Sequence, residues 1–514
     1  MLLSDVIRRG AERHPDRPAI LFNETVVTYG DLGRQVNRLA HALDRRGIAA
    51  GDRVALLLPN SPVTTVAYFG AIAAGAVVVP ANPLLKAAEL SHIWRDSDVR
   101  LVIAAPSLLE TAREALASLA PPRTLVSTGD QHDTPEEVVT LGELVAEGAE
   151  APPPPSRASE DDPAVCLYTS GTTGKPKGAL LSHRNLLANC RQIAVALRLT
   201  ADDNMLCVLP LFHSFGATVC QNTPLHGGAR LTLVETFHPL RVLEVIERAR
   251  PTVFPGVPAM YAAILKIPPE RKADLSSLRA CLSGGAPMPL SVMQAFEARF
   301  GAPILEGDGP TECSPATSIN PLGGVRKRGT IGLPLEGVEM RIVADDDREL
   351  PDGEVGEIVV RGENVMLGYH NQPEATAEAM RGGWYHTGDL GTRDSDGYFS
   401  IVDRKKDMLI VGGLNVYPRE VEEVLYAHPA IADAAVIGAH DALRGEMPLA
   451  VVALKPGFVA TAPELTSWCR GRLANFKVPR KVLVRESLPR SATGKILKRL
   501  LRKELDLEAS TVSE

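Results

Sequence analysis

The chain has 514 residues, 45% hydrophobic and 23% charged, which is enough apolar material for a large buried core and for more than one domain. With 55 Lys and Arg against 62 Asp and Glu the formal charge is −7, so the composition lacks the basic excess that nucleic acid or an anionic membrane would demand, and small molecules are the expected partners. The seven cysteines are odd in number and form no C-x-x-C pair and no Cys/His cluster, which argues against a disulfide framework or structural zinc and fits a reducing cytoplasm.

The opening MLLSDVIRRGAERHPDRP carries charge where a secretory signal would need an apolar stretch, so no such signal is expected. Residues 54–85 contain no Asp, Glu, Lys or Arg and have to be weighed as a membrane span. Pro59-Asn60-Ser61-Pro62 and Pro80-Ala81-Asn82-Pro83 bracket the most apolar part, and Gly70 and Gly75 interrupt it. That pattern predicts a buried strand at 54–58, a helix at 62–74 and a strand at 76–79, so no integral membrane segment is expected. Further short apolar runs at 101–104, 231–234 and 451–454 alternate with amphipathic stretches, as in α/β layers with largely parallel sheet. The prolines of 151–156 can continue neither a helix nor a central strand, and they mark a connector.

Beyond residue 330, Gly332, Gly337, Gly353, Gly356, Gly362 and Gly368 punctuate β-like runs such as 357–360, which predicts a small β-rich subdomain. The charged segment IVDRKKD at 401–407 marks a second boundary, followed by a helix at 418–428, strands at 434–437 and 450–454 and a basic C-terminal helix. The expected fold is α/β: a large multi-subdomain N-terminal domain at 1–403 with parallel-rich sheets, and a smaller mobile α+β domain at 404–514.

The densest chemical signal is YTSGTTGKPKG at 168–178, directly after the strand-like 164–167. Glycines let backbone N–H groups approach an anion, hydroxyls add donors and lysines add charge, so the run reads as a phosphate cradle. It is not a P-loop, because Lys175 is followed by proline where that motif needs Ser or Thr. The run resembles the phosphate signature of the adenylate-forming (AMP-dependent) acyl-CoA synthetases, nearest to the fatty-acyl-CoA ligases. Further segments follow in that family's order: PLFH at 210–213, SGGAP at 283–287, GPTE at 309–312, WYHTGD at 384–389, DRKKD at 403–407 and PRSATGK at 489–495.

The resemblance implies that ATP, Mg²⁺ and coenzyme A act together on a carboxylic acid. Thr169, Ser170, Gly171, Thr172, Thr173, Gly174 and Lys175 would hold the departing pyrophosphate. Gly284, Gly285, Ala286, Gly307, Asp308 and Gly309 would form the adenine pocket, Thr311 would contact the α-phosphate, and Glu312 with Thr169 would hold Mg²⁺. Asp389 would accept the ribose hydroxyls, with Arg404 approaching from the other domain. Lys495 would bridge acid and phosphate as charge develops, and His213 would orient or gate the acyl site. Lys406 matches the hinge, and Gly412 and Gly413 match the segment that approaches the pantetheine arm.

Taken singly, several of these residues have plainer readings: Asp389 as a turn former, Lys495 as one of several solvated basic residues, Glu312 as a helix cap, Gly412-Gly413 as a tight turn. One position departs from the family, which usually has an aromatic ring stacking on adenine where this chain has Asp308. That carboxylate either hydrogen-bonds the adenine amino group or stays solvated. Residues 204–229 contain no Lys or Arg, which disfavours a dicarboxylate, and Phe212, Phe215, Gly216, Ala217, Cys220 and Phe254 are expected to line a pocket for a medium- to long-chain fatty or carbocyclic acid. Transfer to a carrier protein instead of coenzyme A, or nucleotide binding without catalysis, are the rival readings. A homodimer, and acetylation and deacylation of Lys495 by partner enzymes, are further expectations from the resemblance and from the exposure of the Lys495 loop.

Overall fold

The computed structural model describes residues 1–121, 123–135, 138–149, 158–169, 176–411, 413–441, 445–491 and 494–511. The proline connector at 151–156, the cradle residues Ser170, Gly171, Thr172, Thr173, Gly174 and Lys175, and Gly412 therefore lie outside the described residues.

The apolar run at 54–85 folds as the strand–helix–strand unit that its prolines foreshadow. Strand Arg53–Leu57 pairs in parallel with Val77–Pro80, and helix Pro62–Ala73 joins them. Ser61 caps that helix by accepting the Thr64 N–H at 3.2 Å, and Pro62 occupies the first turn, where an amide proton would have no intrahelical acceptor. No helix among the described residues is long and apolar enough to cross a membrane.

Two large sheets form the N-terminal body. One has eight strands in the order Gly368–Tyr369, Lys177–Ser182, Pro163–Thr169, Val77–Pro80, Arg53–Leu57, Val99–Ala104, Thr124–Ser127 and Val139–Thr140. The other has nine, from Leu333–Pro334 through Ser318–Ile319, Ile304–Asp308, Ala280–Ser283, Val253–Gly256, Asn204–Cys207 and Arg230–Leu233 to Pro18–Phe22 and Thr25–Thr28. Their central strands pair in parallel and are buried, which is why they read as continuous apolar runs rather than as alternating ones, whereas Pro163–Thr169 with Lys177–Ser182 and Ile304–Asp308 with Ser318–Ile319 pair antiparallel. A single core joins the two sheets through residues such as Phe69, Leu39, Leu206 and Leu231.

The glycine-punctuated region is an antiparallel sheet of Val338–Val343, Gly356–Gly362, Tyr385–Arg393 and Phe399–Arg404. Past it, helix Pro418–Tyr426, the long hairpin Ile431–Asp441 and Gly445–Leu454, helix Ala462–Arg470, strand Lys481–Arg485 and helix Lys498–Thr511 build an α+β unit with its own core around Val421, Leu425, Val436 and Val452. Asp403 ties this unit to the preceding sheet, because its carboxylate accepts the Arg404 N–H and the Arg419 N–H, each at 2.7 Å. Arg419 also donates to the Ile401 carbonyl at 2.6 Å, and Arg502 to Asp407 at 2.9 Å.

Segment Phe215–Asn222 winds as a π-helix, an element that the sequence pattern did not foretell. Such wide turns are uncommon and concentrate at functional sites.

Candidate active site

The carboxyl ends of the parallel strands carry the predicted site, where open α/β sheets place their ligands. Thr169 ends strand Pro163–Thr169, and its hydroxyl lies 3.5 Å from Glu312 Oε1. Glu312 is buried in the short turn Thr311–Cys313, so helix capping is not its role. The Tyr369 hydroxyl donates to the same Oε1 at 2.9 Å, and the Glu312 carbonyl accepts the Met366 N–H at 2.7 Å. Thr311 Oγ1 lies 3.3 Å from Ser214 Oγ, one residue from His213. Among the described residues no group of three His, Cys, Asp or Glu could hold a metal by itself. One carboxylate beside one hydroxyl is a hard-oxygen set that suits Mg²⁺, which binds through few protein ligands and completes its shell with phosphate and water.

Strands Ala280–Ser283 and Ile304–Asp308 run side by side, with Ser283 opposite Glu306, so the two predicted adenine segments leave the sheet together. The second exit depends on Gly309: a Cβ there would lie 2.2 Å from the Pro315 carbonyl oxygen. The Phe215 ring closes on Gly284, 3.3 Å from where a Cβ would stand. Asp308 is partly exposed. Burial, and then the nearby Asp389 charge, raise its pKa, while Arg404 and Lys495 oppose the rise. Glu306, two residues earlier, is pushed up to about 7 by burial, and its Oε2 has no hydrogen-bond partner among the described residues.

Asp389 is buried, and Arg404 Nε reaches its Oδ1 at 3.0 Å. The arginine was expected to approach from the other domain, and here the structure corrects the sequence. Arg404 ends strand Phe399–Arg404 and pairs directly with Asp389 in strand Tyr385–Arg393, so both belong to one sheet. The charged run DRKKD read as a boundary at its first residues, but its leading half completes the antiparallel ladder before the chain turns.

Lys495 enters this cleft from a loop of the C-terminal unit, with its N–H donating to Ser491 Oγ at 3.1 Å. Neighbouring Gly494 lies against Val257 and Ala259 of the N-terminal body, 3.6 Å from where a Cβ would stand. The lysine is exposed to solvent, and desolvation by the protein around it, followed by the Arg404 charge, lowers its pKa to about 8. His213 is held near 4 by burial and by the Lys495 charge. Its Nδ1 accepts the Phe215 N–H at 3.2 Å, so the neutral ring carries its proton on Nε2 and acts as a donor. That geometry suits an orienting group rather than a base. Lys406 is lowered by burial and by Arg404, and Arg502 holds the next residue, Asp407.

In the hairpin of Leu409–Val411 and Leu414–Val416, Ile410 and Leu414 are each about half exposed, while Leu409, Val411 and Val416 pack into the core of the C-terminal unit. Gly413, between the two strands, has φ +84°.

The six candidate acyl residues are only partly brought together. Phe212 and Phe215 are half-buried, and Gly216 and Ala217 begin the π-helix beside them. Phe254 is fully enclosed, its ring 5.3 Å from Tyr261, which in turn lies 5.1 Å from Phe296. Strand Val253–Gly256 is covered by helices, and this ring faces the helix layer rather than a pocket. Cys220 is likewise enclosed, with its thiol against Cys207. Both therefore back the wall of the site. Sequence reasoning missed Tyr369, Ser214 and Glu357; only Glu357 left a trace, as an acidic residue opening the otherwise apolar run EIVV.

With this geometry in view, comparison with known proteins is direct. The family described as AMP-binding enzyme matches residues 7–370, and the AMP-binding enzyme C-terminal domain matches residues 420–495. A long-chain-fatty-acid–CoA ligase of Bacillus subtilis (strain 168) is 38% identical, over 98% of this chain and 94% of its own length. A feruloyl-CoA synthase of an Amycolatopsis species is 42% identical, over 96% and 97%. The crystal structure of an anthranilate CoA ligase in complex with anthranoyl-AMP superposes with a TM-score of 0.92 at 29% identity, over 99% of this chain and 98% of that one. The match of these relatives over nearly the whole length, with both family domains in order, places the chain in the AMP-binding enzyme family, as an adenylate-forming acyl-CoA ligase.

Proposed function

We propose that this ligase joins a monocarboxylic acid to coenzyme A through an acyl-adenylate, with the acid a medium- to long-chain fatty or carbocyclic one. The observation that carries the reading is the docked Lys495 loop, whose ammonium shares one cleft with Asp308, Asp389 and Arg404 and acts on His213. In the first step a carboxylate oxygen of the acid attacks the α-phosphorus of ATP in line, a P–O bond forms, and the bond to the β-phosphate breaks to release pyrophosphate. Lys495 offsets the charge that grows on the acid and phosphate oxygens. Thr311 donates its hydroxyl to the α-phosphate, and His213 offers Nε2–H to the acid. Asp389 accepts the ribose hydroxyls, while Arg404 holds that carboxylate in place. Thr169 and Glu312 would hold Mg²⁺, which when bound neutralises phosphate charge.

In the second step the C-terminal unit turns about Lys406, withdraws Lys495 and brings the Gly412–Gly413 turn to the cleft. The thiol of coenzyme A then gives up its proton to water, its sulfur attacks the acyl carbon to form the C–S bond, the C–O bond to phosphate breaks, and AMP leaves. Asp407 and Arg502 form an ion pair just past the pivot, so they travel with the turning unit. The absence of Lys and Arg from residues 204–229 supports a monocarboxylate, because a second carboxylate buried there would lack a partner. An aryl acid is the second reading, favoured by the feruloyl-CoA synthase and anthranilate CoA ligase relatives.

The test is pyrophosphate release with ATP and Mg²⁺ over acetate, hexanoate, benzoate, ferulate, cyclohexanecarboxylate, palmitate and malonate, with and without coenzyme A, on wild type and Lys495→Ala. Turnover that requires an apolar acid and coenzyme A and collapses in the variant is expected. Turnover on malonate above all others, or full activity of Lys495→Ala, would overturn the reading.

A further inference from the structure

We propose that Glu357 is a positioning residue: buried beneath the ribose-facing bulge, it sets the place of Asp389 by holding the backbone of Gly388. The inference rests on the reading that Asp389 accepts the ribose hydroxyls.

The ladder between Gly356–Gly362 and Tyr385–Arg393 breaks where the site needs it to. Glu357 pairs with Leu390 and Val359 with His386, so Ile358 alone stands opposite Thr387, Gly388 and Asp389. An insertion of this kind re-aims a side chain out of a sheet but leaves the looped backbone short of ladder partners. Side chains supply them here. Glu357 Oε1 accepts the Gly388 N–H at 3.1 Å, Thr387 Oγ1 donates to the Ile358 carbonyl at 2.7 Å, and the Asp389 N–H donates to Thr387 Oγ1 at 3.1 Å.

The other oxygen of Glu357 is met from three directions, by two cations and by a histidine ring. Arg381 Nη2 and Lys405 Nζ each lie 3.3 Å from Oε2, and His386 Nδ1 lies at 3.5 Å. Lys405 closes the circuit, because its N–H donates to the Gly388 carbonyl at 2.9 Å and its Nζ also meets Asp345 at 2.7 Å. Both backbone groups of Gly388 are thus bound, one by Glu357 and one by the residue that follows Arg404. Only 7% of the Glu357 side chain is exposed. Burial would raise its pKa, but Lys405, His386 and the Gly388 N–H overrule it and keep the carboxylate below its usual range, and so charged. A residue serving the sheet alone would not need its carboxylate aimed into the bulge that carries Asp389.

The experiment compares kcat/KM for ATP with that for 2′-deoxy-ATP in pyrophosphate release, on wild type, Glu357→Ala, Glu357→Gln, Lys405→Met and Asp389→Ala. A misplaced Asp389 gains less from the 2′-hydroxyl, so Glu357→Ala is expected to lower the preference for ATP by about tenfold, the scale of one hydrogen bond to a charged group. Glu357→Gln can still accept the Gly388 N–H and is expected to restore most of that preference. Lys405→Met alters a half-exposed side chain and leaves its backbone N–H on Gly388 in place, and it is expected to lower the preference by about threefold even if Glu357→Ala fails to fold. Wild-type preference in both Glu357→Ala and Lys405→Met, with the preference lost in Asp389→Ala, would overturn the positioning role while leaving the ribose reading intact. Wild-type preference in Asp389→Ala would overturn the ribose reading, and this inference with it.

Discussion

Raising the pH from 7 to 9 is the perturbation that isolates Lys495. Burial and the Arg404 charge bring its ammonium down to about 8, with Lys406 adding to the fall and Asp389 and Asp407 opposing it. A group with that pKa is about 90% charged at pH 7 and about 10% at pH 9, so kcat/KM for ATP, which reports the free enzyme, is expected to fall about tenfold across the interval. Bound triphosphate adds negative charge beside the ammonium and raises its pKa, so the same limb in kcat should appear at higher pH. The assay is single-turnover pyrophosphate release without coenzyme A, in which the burst rate and its dependence on ATP stand for kcat and kcat/KM of adenylation and the thiol's own titration stays out of the profile, with circular dichroism following the fold at each pH. His213, near 4, does not titrate in this window, and Glu306, near 7, contributes only an acid limb. Lys495→Arg carries a guanidinium that stays charged throughout, so it should keep the acid limb and lose the alkaline one, at a lower overall rate. An alkaline limb that persists in Lys495→Arg, or a wild-type profile flat to pH 9, would refute the assignment.

Three other perturbations probe the rest of the cleft. Tyr369→Phe removes the hydroxyl that donates to Glu312 but keeps the ring that Lys177 covers at 5.1 Å, so the Mg²⁺ concentration for half-maximal ATP binding, followed by calorimetry, should rise by about tenfold with little change in Tm. Gly309→Ala puts a Cβ 2.2 Å from the Pro315 oxygen, and reaching ordinary contact requires the Thr311–Glu312 turn or its neighbour to move by about 1 Å; adenylation should fall about a hundredfold, and wild-type kcat by pyrophosphate release would contradict the close approach. Gly413→Val forces a branched side chain onto a residue at φ +84°, at a cost of about 1–2 kcal/mol, and should spare pyrophosphate release while cutting acyl-CoA formation, so equal loss in both half-reactions would speak against a role confined to the second.

Much of this molecule is readable without coordinates, and the reasons are local. The strand–helix–strand unit at 53–80 follows from uncharged apolar runs cut by prolines at fixed places, and the β-rich region beyond residue 330 from glycines spaced between short branched runs. Thr169, Glu312, Asp389 and Lys495 stand out only through the resemblance of their motifs, in chain order, to one family; taken singly, Asp389, Lys495 and Glu312 read as a turn former, a solvated lysine and a helix cap. Pairing across the sheet could not be read in this way. That Arg404 is the ladder partner of Asp389, that Ile358 faces three residues, and that Glu357 and Lys405 grip Gly388 from two sides are matters of register between segments tens of residues apart, and register depends on turns and packing rather than on either strand alone. The same limit explains Phe254 and Cys220. Apolar residues near a pocket and apolar residues behind it have identical sequence signatures, and only the placement of helix Pro258–Leu265 against strand Val253–Gly256 turns the Phe254 ring into the core. Sequence thus determined the family to which this protein belongs, because its motifs reside in residue types and short spacings, whereas tertiary structure decided which groups pack against the candidate site residues, because that depends on long-range pairing.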